Sequence, residues 1–236
     1  MDRTRLTIDE QHVGAATPDR LGSRFGALLY DPFLVRGERL GMRARRADLL
    51  GAATGRVLEI GAGTGLNLQH YPLGAEELLL TDPEPAMLRR LRARAAGSHR
   101  PTPTEVALAA ADALPADDAS VDTVVSTLVL CTIPDVDAAL AEIVRVLRPG
   151  GRLLFVEHVR ADDAGLARSQ DRWAGPWAAF AMGCRCNRDT LAALGRRFDI
   201  ERVTHGRWRG MPWLVRPLIM GAAVPIPGER FARTKP

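Results

Sequence analysis

The sequence has few cysteines and no long uninterrupted apolar run. Three cysteines among 236 residues, without an apolar N-terminal segment of the kind that directs secretion, argue against a disulfide framework and favour free thiols. The most apolar stretch of the tail, which begins at Trp213, contains Arg216 and three prolines and falls short of the ~20 residues that span a bilayer. We therefore expect a cytoplasmic protein without a transmembrane segment.

The chain also lacks a strong excess of one charge. Its formal net charge is +4, and the region from Arg185 to the end carries ten Arg and one Lys against four acidic residues. These basic residues alternate with apolar ones and do not form a run, which favours a solvated surface, with a polyanion contact as the weaker alternative. We do not expect a nucleic-acid partner, and the sequence leaves the oligomeric state open.

Short apolar segments alternate with helical patterns through the middle of the chain, where 46% hydrophobic residues can fill the core of one large α/β domain. Five segments have the two-sided apolar character of buried parallel strands, at 55–60, 76–81, 105–110, 121–127 and 151–159. Helices are predicted between them at 65–71, 85–96 and 135–151. This alternation predicts a parallel sheet with helices on both faces.

Further segments on either side extend this core into a single domain, 1–236. A helix over 25–50 precedes the first strand, a helical insert at 160–197 ends in a helix capped by Asn187, and two more strands are predicted within 198–224. We therefore expect a Rossmann-like sheet of seven mostly parallel strands, with the N-terminal helix and the insert as a lid. Residues 1–24 are expected to be flexible, and 55–159 are expected to form the ligand-binding core.

A glycine loop follows the first strand, a position where backbone N–H groups can approach a ligand. The stretch VLEIGAGTGLN, residues 57–67, places glycines at 61, 63 and 65. A dinucleotide fingerprint would need its third glycine at 66, where this chain has Leu. The pattern E-x-G-x-G-x-G is instead similar to the first motif of the class I S-adenosylmethionine-dependent methyltransferases, with a simple tight turn as the alternative.

This resemblance implies a site for S-adenosylmethionine, with S-adenosylhomocysteine as the product. It places Glu59 beneath the methionine part of the cofactor, Asp82 at the ribose hydroxyls, and Asp112 at the adenine amino group beside the backbone N–H of Ala113. The alternatives are that Asp82 only caps the next helix and that Asp112 only faces solvent. The other residues expected at the cofactor are Gly61, Ala62, Gly63, Gly65, Asn67, Pro83, Thr127 and Leu128.

The chain also resembles a narrower group, the thiol methyltransferases and their bacterial relatives. The matching stretches include TLVLC at 127–131, EHV at 157–159, GCRCNRDT at 183–190 and VRPLIMGAAV at 215–224. The resemblance implies methyl transfer to a small-molecule acceptor and favours a thiol. The alternatives are an oxygen, nitrogen or carbon acceptor in a natural product or quinone-like metabolite, and a non-catalytic protein that only binds the cofactor.

His158 is the candidate general base, because it ends the fifth strand at the edge where α/β sheets hold their ligands. A thiol with a pKa near ~8.5 is mostly protonated at pH 7, so a base would assist its methylation. Glu157 or a backbone carbonyl is expected to orient the ring, with a purely structural histidine as the alternative. Trp173, Trp177 and Tyr30 are candidate substrate contacts, with core packing as the alternative for the tryptophans.

Cys184 and Cys186 form a Cys-x-Cys pair that does not by itself predict a metal site. Zinc takes about four ligands, and neither a second cysteine pair nor a closely spaced histidine pair lies nearby in the sequence, where Cys131 and His205 are isolated. We therefore expect no metal, and we predict that the two cysteines pack as small apolar groups beside the acceptor pocket.

Overall fold

The computed structural model describes residues 21–228, which form one seven-stranded sheet with helices packed against it. The strands are β1 Gly55–Ile60, β2 Ala75–Asp82, β3 Thr104–Leu108, β4 Val121–Thr127, β5 Leu147–His158, β6 Phe198–Arg207 and β7 Pro217–Pro225. The α-helices are α1 Leu21–Gly37, α2 Arg43–Leu50, α3 Pro85–Ala96, α4 Val136–Val146, α5 Ala164–Phe180 and α6 Thr190–Gly195. Within this part of the chain, no helix combines the length and the apolar character needed to cross a membrane.

The order of the strands confirms the predicted fold class. The sheet runs β3-β2-β1-β4-β5-β7-β6, with β1 to β5 parallel and β7 antiparallel to both of its neighbours. The chain proceeds from β1 to β3 in one direction and from β4 outward in the other, so the order reverses between β1 and β4. Open α/β sheets bind ligands at this reversal point, beyond the carboxyl ends of the strands.

Two apolar layers cover the two faces of the sheet. Because successive residues of a strand point to opposite faces, β5 contributes Leu154 and Val156 to one layer and Leu153 and Phe155 to the other. The first layer includes buried side chains of α2 and α3, and the second includes those of α4 and α6. Helices therefore lie on both faces. His158 is two residues beyond Val156 in the same strand, so its side chain points to the face of Leu154 and Val156.

The N-terminal helical region is interrupted and not one continuous helix. α1 already begins at Leu21, four residues before the predicted start, whereas residues 1–20 of the segment expected to be flexible lie outside the described residues. A π-helical segment, Glu38–Met42, joins α1 to α2, and within it Gly41 has a φ of 134°, a value that glycine adopts without strain. This segment is therefore a kink between α1 and α2.

Two predictions around the strand ends were wrong. The helix predicted at 65–71 is a series of turns with one 3₁₀ turn at Leu68–His70, because the three loop glycines all have positive φ and the chain is still turning there. The helix predicted over 135–151 ends at Val146, because Leu147 already pairs with Val121 of β4.

The helix after the cysteine pair is shorter than predicted and has a different cap. α6 begins at Thr190, and Asp189 is its N-cap, with its carboxylate accepting the N–H of Ala192 at 2.9 Å. Asn187, the predicted cap, instead donates from its side-chain amide to Asp171 of α5 at 3.1 Å. That bond attaches the cysteine loop to the helical insert.

Candidate active site

The glycine loop lies at the reversal point, and its shape requires glycine. Gly61 and Gly63 have φ values of 56° and 58°. A Cβ on Gly61 would lie 2.7 Å from the side chain of Val129, and a Cβ on Gly65 would lie 2.6 Å from that of Leu91. A larger residue at either position would displace the loop after β4 or the helix α3, so each predicted glycine meets a conformational or steric need.

Asp82 ends β2 and holds the glycine loop in place. Its Oδ2 accepts the N–H of Gly63 and its Oδ1 accepts the N–H of Glu84, both at 2.8 Å. The residue is 6% exposed, and burial raises its pKa to about 6 although the two backbone bonds lower it. Each oxygen keeps a further lone pair for a ribose hydroxyl. The cap of α3 is the side chain of Glu84, so the helix-cap alternative for Asp82 was wrong.

Glu59 is the centre of a buried polar network beneath the loop. Its Oε1 accepts the side-chain amide of Asn67 at 2.8 Å, and its Oε2 accepts the hydroxyl of Tyr71 at 2.6 Å. Asn67 also donates to the Thr127 hydroxyl at 3.0 Å and accepts from Arg46 at 2.7 Å. Burial raises the pKa of Glu59 to about 7. The network ties the ends of β1 and β4 to α2.

Arg46 and Tyr71 are parts of this network that sequence reasoning missed. Arg46 is 4% exposed and forms an ion pair with Glu38 at 3.0 Å. A buried arginine is rare unless it is paired, but in the sequence it stands in the basic stretch RARR, where each arginine looks like a solvated surface residue. Its position one turn before the buried Leu50 was the available signal.

α1 is attached to the glycine loop through Asp31, which the sequence also did not indicate. The Thr64 hydroxyl donates to Asp31 Oδ1 at 2.5 Å, while Arg90 and Arg94 of α3 donate to Oδ2 at 3.2 and 2.9 Å. The pairs with the two arginines are partly exposed, so each contributes modestly. Together they attach α1 to the glycine loop and to α3, and a lid role for α1 remains a prediction.

Tyr30 lies between the glycine loop and the end of β4. Its ring is 3.8 Å from the position that a Cβ on Gly63 would take. Burial raises the pKa of the phenol to about 12, with smaller opposing effects from Arg46, which lowers it, and Asp82, which raises it. The structure thus places this predicted substrate contact against the glycine loop.

The loops after β3 and β4 complete the rim of the site. Asp112 is exposed beyond β3, and the N–H of Ala113 donates to the carbonyl of Ala110 at 3.2 Å. Leu128 has a φ of 61°, unusual for a residue other than glycine, and its N–H donates to the carbonyl of Val156 at 2.8 Å. The contacts of Asp112, Ala113 and Leu128 with adenine remain predictions.

Cys131, His158 and Cys184 come together near the same edge. The Nε2 atom of His158 is 3.3 Å from the Sγ of Cys131 and 3.4 Å from the Sγ of Cys184. The indole N–H of Trp177 donates to Cys184 Sγ at 3.0 Å. All three members of this Cys–His–Cys cluster are buried, and their three ligating atoms lie within 4.8 Å of one another.

The three side chains of the cluster shift one another's pKa values. The hydrogen bond from Cys131 and the contact with His158 lower the pKa of Cys184 to about 5, against the burial that raises it. Burial raises the pKa of Cys131 well above its ordinary value. Burial also lowers the pKa of His158, but the contact with Cys184 outweighs it and the pKa is raised.

Glu157 does not orient the His158 ring, so that expectation was wrong. Neighbouring residues of a strand point to opposite faces, and Glu157 Oε1 accepts the Ser126 hydroxyl at 2.7 Å and the N–H groups of Val129 and Leu130 at 3.1 and 3.2 Å. The Nδ1 atom of His158 is buried without a hydrogen-bond partner among residues 21–228. The two cysteines are the polar groups that hold the ring.

The tryptophans of α5 do not form one wall. Trp173 is 48% exposed, whereas Trp177 packs against Cys184 and against Phe180, with a ring-centroid distance of 5.7 Å. Phe180 in turn meets Phe33 of α1 edge-on at 6.0 Å. Trp177 therefore lies beside the cluster, whereas Trp173 is largely exposed, and the substrate contacts of both remain predictions. The aromatic contact joins the two helices predicted as the lid.

The cysteine pair divides into two different environments. Cys186 is buried, with its Sγ 4.0 Å from the carbonyl of Gln170, and it packs as the small apolar group that we predicted. Cys184 is instead hydrogen-bonded within the cluster. The loop between α5 and the pair turns sharply at Met182 and Gly183, which have φ values of 52° and 88°.

Comparisons with known proteins agree with this geometry. The family described as a methyltransferase domain matches residues 58–155. The human thiol S-methyltransferase TMT1A is 36% identical over 172 residues, which cover 71% of this chain and 70% of the human protein. The ubiquinone/menaquinone biosynthesis C-methyltransferase UbiE of Acidiphilium cryptum is 33% identical over 172 residues, covering 65% of this chain and 69% of UbiE.

A solved structure shows the same fold. The N-methyltransferase NodS from Bradyrhizobium japonicum, in complex with S-adenosylhomocysteine, matches with a TM-score of 0.58 at 19% identity, over 77% of this chain and 85% of NodS. The names of these three proteins specify sulfur, carbon and nitrogen acceptors, so the shared fold alone does not determine the acceptor atom.

Proposed function

The chain belongs to the S-adenosylmethionine-dependent methyltransferases, and from that premise we propose that it methylates the sulfur of a small-molecule thiol. The observation that carries this proposal is the extent of the likeness to TMT1A, which covers 71% of the chain. The methyltransferase-domain match covers only 58–155. The likeness therefore includes much of the chain outside the common cofactor-binding part, where the acceptor side of the site is built.

The residues at the reversal point fit the cofactor. Asp82 offers a buried carboxylate with free lone pairs for the ribose, and Gly63 leaves the backbone of the loop uncovered by a Cβ. Glu59 supports the cofactor site through its neighbours, because both of its carboxylate oxygens already accept hydrogen bonds, from Asn67 and Tyr71. Bound there, S-adenosylmethionine supplies an electrophilic methyl group on a sulfonium.

Methyl transfer requires the protein mainly to align the acceptor with the methyl group. The acceptor sulfur forms a bond to the methyl carbon while the carbon–sulfonium bond breaks, and the thiol proton is released. Holding the two reactants in line supplies most of the advantage, and excluding water supports it. Tyr30 and Trp177 lie where they can line this space, and the contact between Phe33 and Phe180 closes α1 against α5.

His158 stays the candidate catalytic residue on the acceptor side. It ends β5 on the face that carries the other members of the Cys–His–Cys cluster, and it is 5% exposed. A carbon acceptor in a quinone-like metabolite is the second candidate function, and the likeness to UbiE favours it. The cytoplasmic location remains a prediction, which fractionation of the native cells would test.

A panel of matched acceptors tests the proposal. Benzyl mercaptan, benzyl alcohol and benzylamine share one carbon skeleton and differ only in the acceptor atom, and a 1,4-naphthoquinol offers an acceptor carbon. With methyl-labelled S-adenosylmethionine, we expect label in the benzyl mercaptan product and none in the alcohol or amine. Asp82→Asn serves as a cofactor-binding control. Transfer to the amine, the alcohol or the naphthoquinol without transfer to the thiol would overturn the proposal.

A further inference from the structure

The Cys–His–Cys cluster brings together three metal-binding side chains from separate elements. Cys131 follows β4, His158 ends β5, and Cys184 lies in the loop after α5. The sequence argument against a metal rested on the distance between these residues along the chain. The fold removes that argument, because the three ligating atoms lie within 4.8 Å of one another.

We propose that Cys131, His158 and Cys184 bind one zinc ion. Cysteine sulfur and histidine nitrogen are the ligands that zinc prefers, and sites with three protein ligands leave the fourth position to water or substrate. All three side chains are at least nine-tenths buried, with exposures of 0%, 5% and 5%. They lie in the apolar layer that also contains Val156 and Leu154, so the ion would be shielded from bulk water.

The distances fit tetrahedral coordination. With a Zn–S distance of ~2.3 Å and a Zn–N distance of ~2.0 Å, a sulfur and a nitrogen bound to the same zinc lie about 3.5 Å apart. The two observed separations from His158 Nε2 are 3.3 and 3.4 Å. One nitrogen atom faces both sulfurs, which is the arrangement that a metal ion bound to all three atoms would produce.

The surroundings of the cluster fit an ion as well. Two thiolates and a neutral imidazole balance the charge of Zn²⁺, so the buried site would carry no net charge. The Trp177 indole N–H, 3.0 Å from Cys184 Sγ, is the kind of outer hydrogen bond that orients a ligating side chain. The Arg188 guanidinium is close enough to interact with the charges of Cys131 and Cys184, and it would balance one further anionic ligand.

If the proposed function holds, the fourth position takes the acceptor thiol. The thiol would lose its proton to solvent on binding, because a thiol that coordinates zinc is deprotonated, and its sulfur would keep a lone pair for the methyl carbon. Tyr30 lies against Gly63 and packs on the apolar layer that contains Cys131 and Cys184. Tyr30 therefore connects the glycine loop to the layer that holds the cluster, and zinc would activate the thiol in place of a free histidine base.

Metal content of the purified full-length protein tests the site without any activity measurement. We expect one zinc per chain, lost in Cys131→Ser and in Cys184→Ser. Cys186→Ser is the matched control, since this buried cysteine stands two residues from Cys184 but outside the cluster, and it should keep the metal. Calorimetry with S-adenosylhomocysteine reports whether each variant is folded.

Cobalt replacement makes the test independent of the variants. Wild-type protein stripped with a chelator and loaded with Co²⁺ should show thiolate-to-cobalt charge-transfer absorption and the visible bands of tetrahedral cobalt. A wild-type protein that purifies without zinc and shows no such absorption after loading would overturn the site. Equal metal loss in Cys186→Ser and Cys184→Ser would also overturn it.

Benzyl mercaptan tests the fourth position on the same cobalt protein. We expect the thiol to increase the charge-transfer absorption through a third thiolate, while benzyl alcohol leaves the spectrum unchanged. A spectrum that does not respond to the thiol would overturn the fourth-ligand role and leave the three-residue site standing. A spectrum that responds, in a zinc protein that does not methylate the thiol, would support the metal site and contradict the proposed function.

Discussion

Replacing Asp82 with Asn should weaken the binding of S-adenosylhomocysteine by roughly 10- to 150-fold. The carboxylate is 6% exposed and already accepts two backbone N–H groups at 2.8 Å, so the ribose hydroxyls would complete its hydrogen bonding. Hydrogen bonds to a charged group contribute about 1.5 to 3 kcal/mol, and every ~1.4 kcal/mol is a factor of ten in affinity. Asn keeps the size but has one acceptor oxygen, so it also loses one of the two backbone N–H bonds, and the measured weakening includes that effect on the glycine loop.

The same carboxylate makes cofactor binding sensitive to acid. Without the cofactor, burial raises the pKa of Asp82 to about 6. Because the ribose hydroxyls donate to the ionised form, affinity should be full well above pH 6 and fall as the pH drops through it, by about tenfold at pH 5. Asp82→Asn removes the titrating group and should flatten this part of the profile.

Isothermal titration calorimetry with S-adenosylhomocysteine between pH 5 and 8 measures both effects. Asp122→Asn is the control, because Asp122 also accepts a backbone N–H, that of Arg56 at 2.7 Å, although unlike Asp82 it is paired with an arginine, Arg148. Asp122 lies at the start of β4, away from the glycine loop. The affinity of Asp122→Asn for S-adenosylhomocysteine should therefore match that of the wild type. Unchanged affinity in folded Asp82→Asn, or an equal loss in both variants, would refute the ribose role.

Three further variants test the loop, the lid attachment and the buried network. Gly61→Ala places a Cβ 2.7 Å from a Val129 side chain and should abolish cofactor binding by calorimetry, whereas Gly195→Ala, with nothing within 4 Å, should be neutral. Asp31→Asn removes the acceptor for two arginines, and hydrogen exchange across 28–42 should become faster than in the wild type. Burial raises the pKa of Glu59 from 4.5 to about 7, so its contribution to stability is full below pH ~4.5 and is lost as the pH rises through about 7, by up to ~3 kcal/mol. In thermal unfolding scans at a series of pH values, Glu59→Gln should lose less stability than the wild type as the pH rises. Equal losses in the two proteins would contradict the assignment of this pH dependence to Glu59.

Local sequence patterns were sufficient to predict most of the sheet. β1 and β4 have the predicted bounds, and α3 begins and ends where its pattern indicated. These elements are decided by runs of apolar residues and by capping signals, which act within a few residues. The cofactor loop was predictable for a similar reason, since the spacing of its glycines reflects constraints on a single strand-to-turn connection.

The acceptor side depends on long-range packing and was predicted less well. The Cys–His–Cys cluster forms only after β5 pairs beside β4 and the loop after α5 reaches Cys131, so the sequence separation of its members hid it. Arg46 and Asp31 were missed because the sequence does not show whether a charged residue is paired within the fold or exposed to solvent. The opposite directions of Glu157 and His158 could have been derived, since neighbouring residues in any strand point to opposite faces.

The central claim is that this chain transfers a methyl group from S-adenosylmethionine to sulfur. A single turnover with the protein in excess, using benzyl mercaptan and a cofactor with a deuterated methyl group, tests it most directly by mass spectrometry. The account predicts a trideuterated benzyl methyl thioether and an equal amount of S-adenosylhomocysteine. Tight binding of S-adenosylmethionine without any thioether, while the label appears on an oxygen, nitrogen or carbon acceptor or on none, would contradict it.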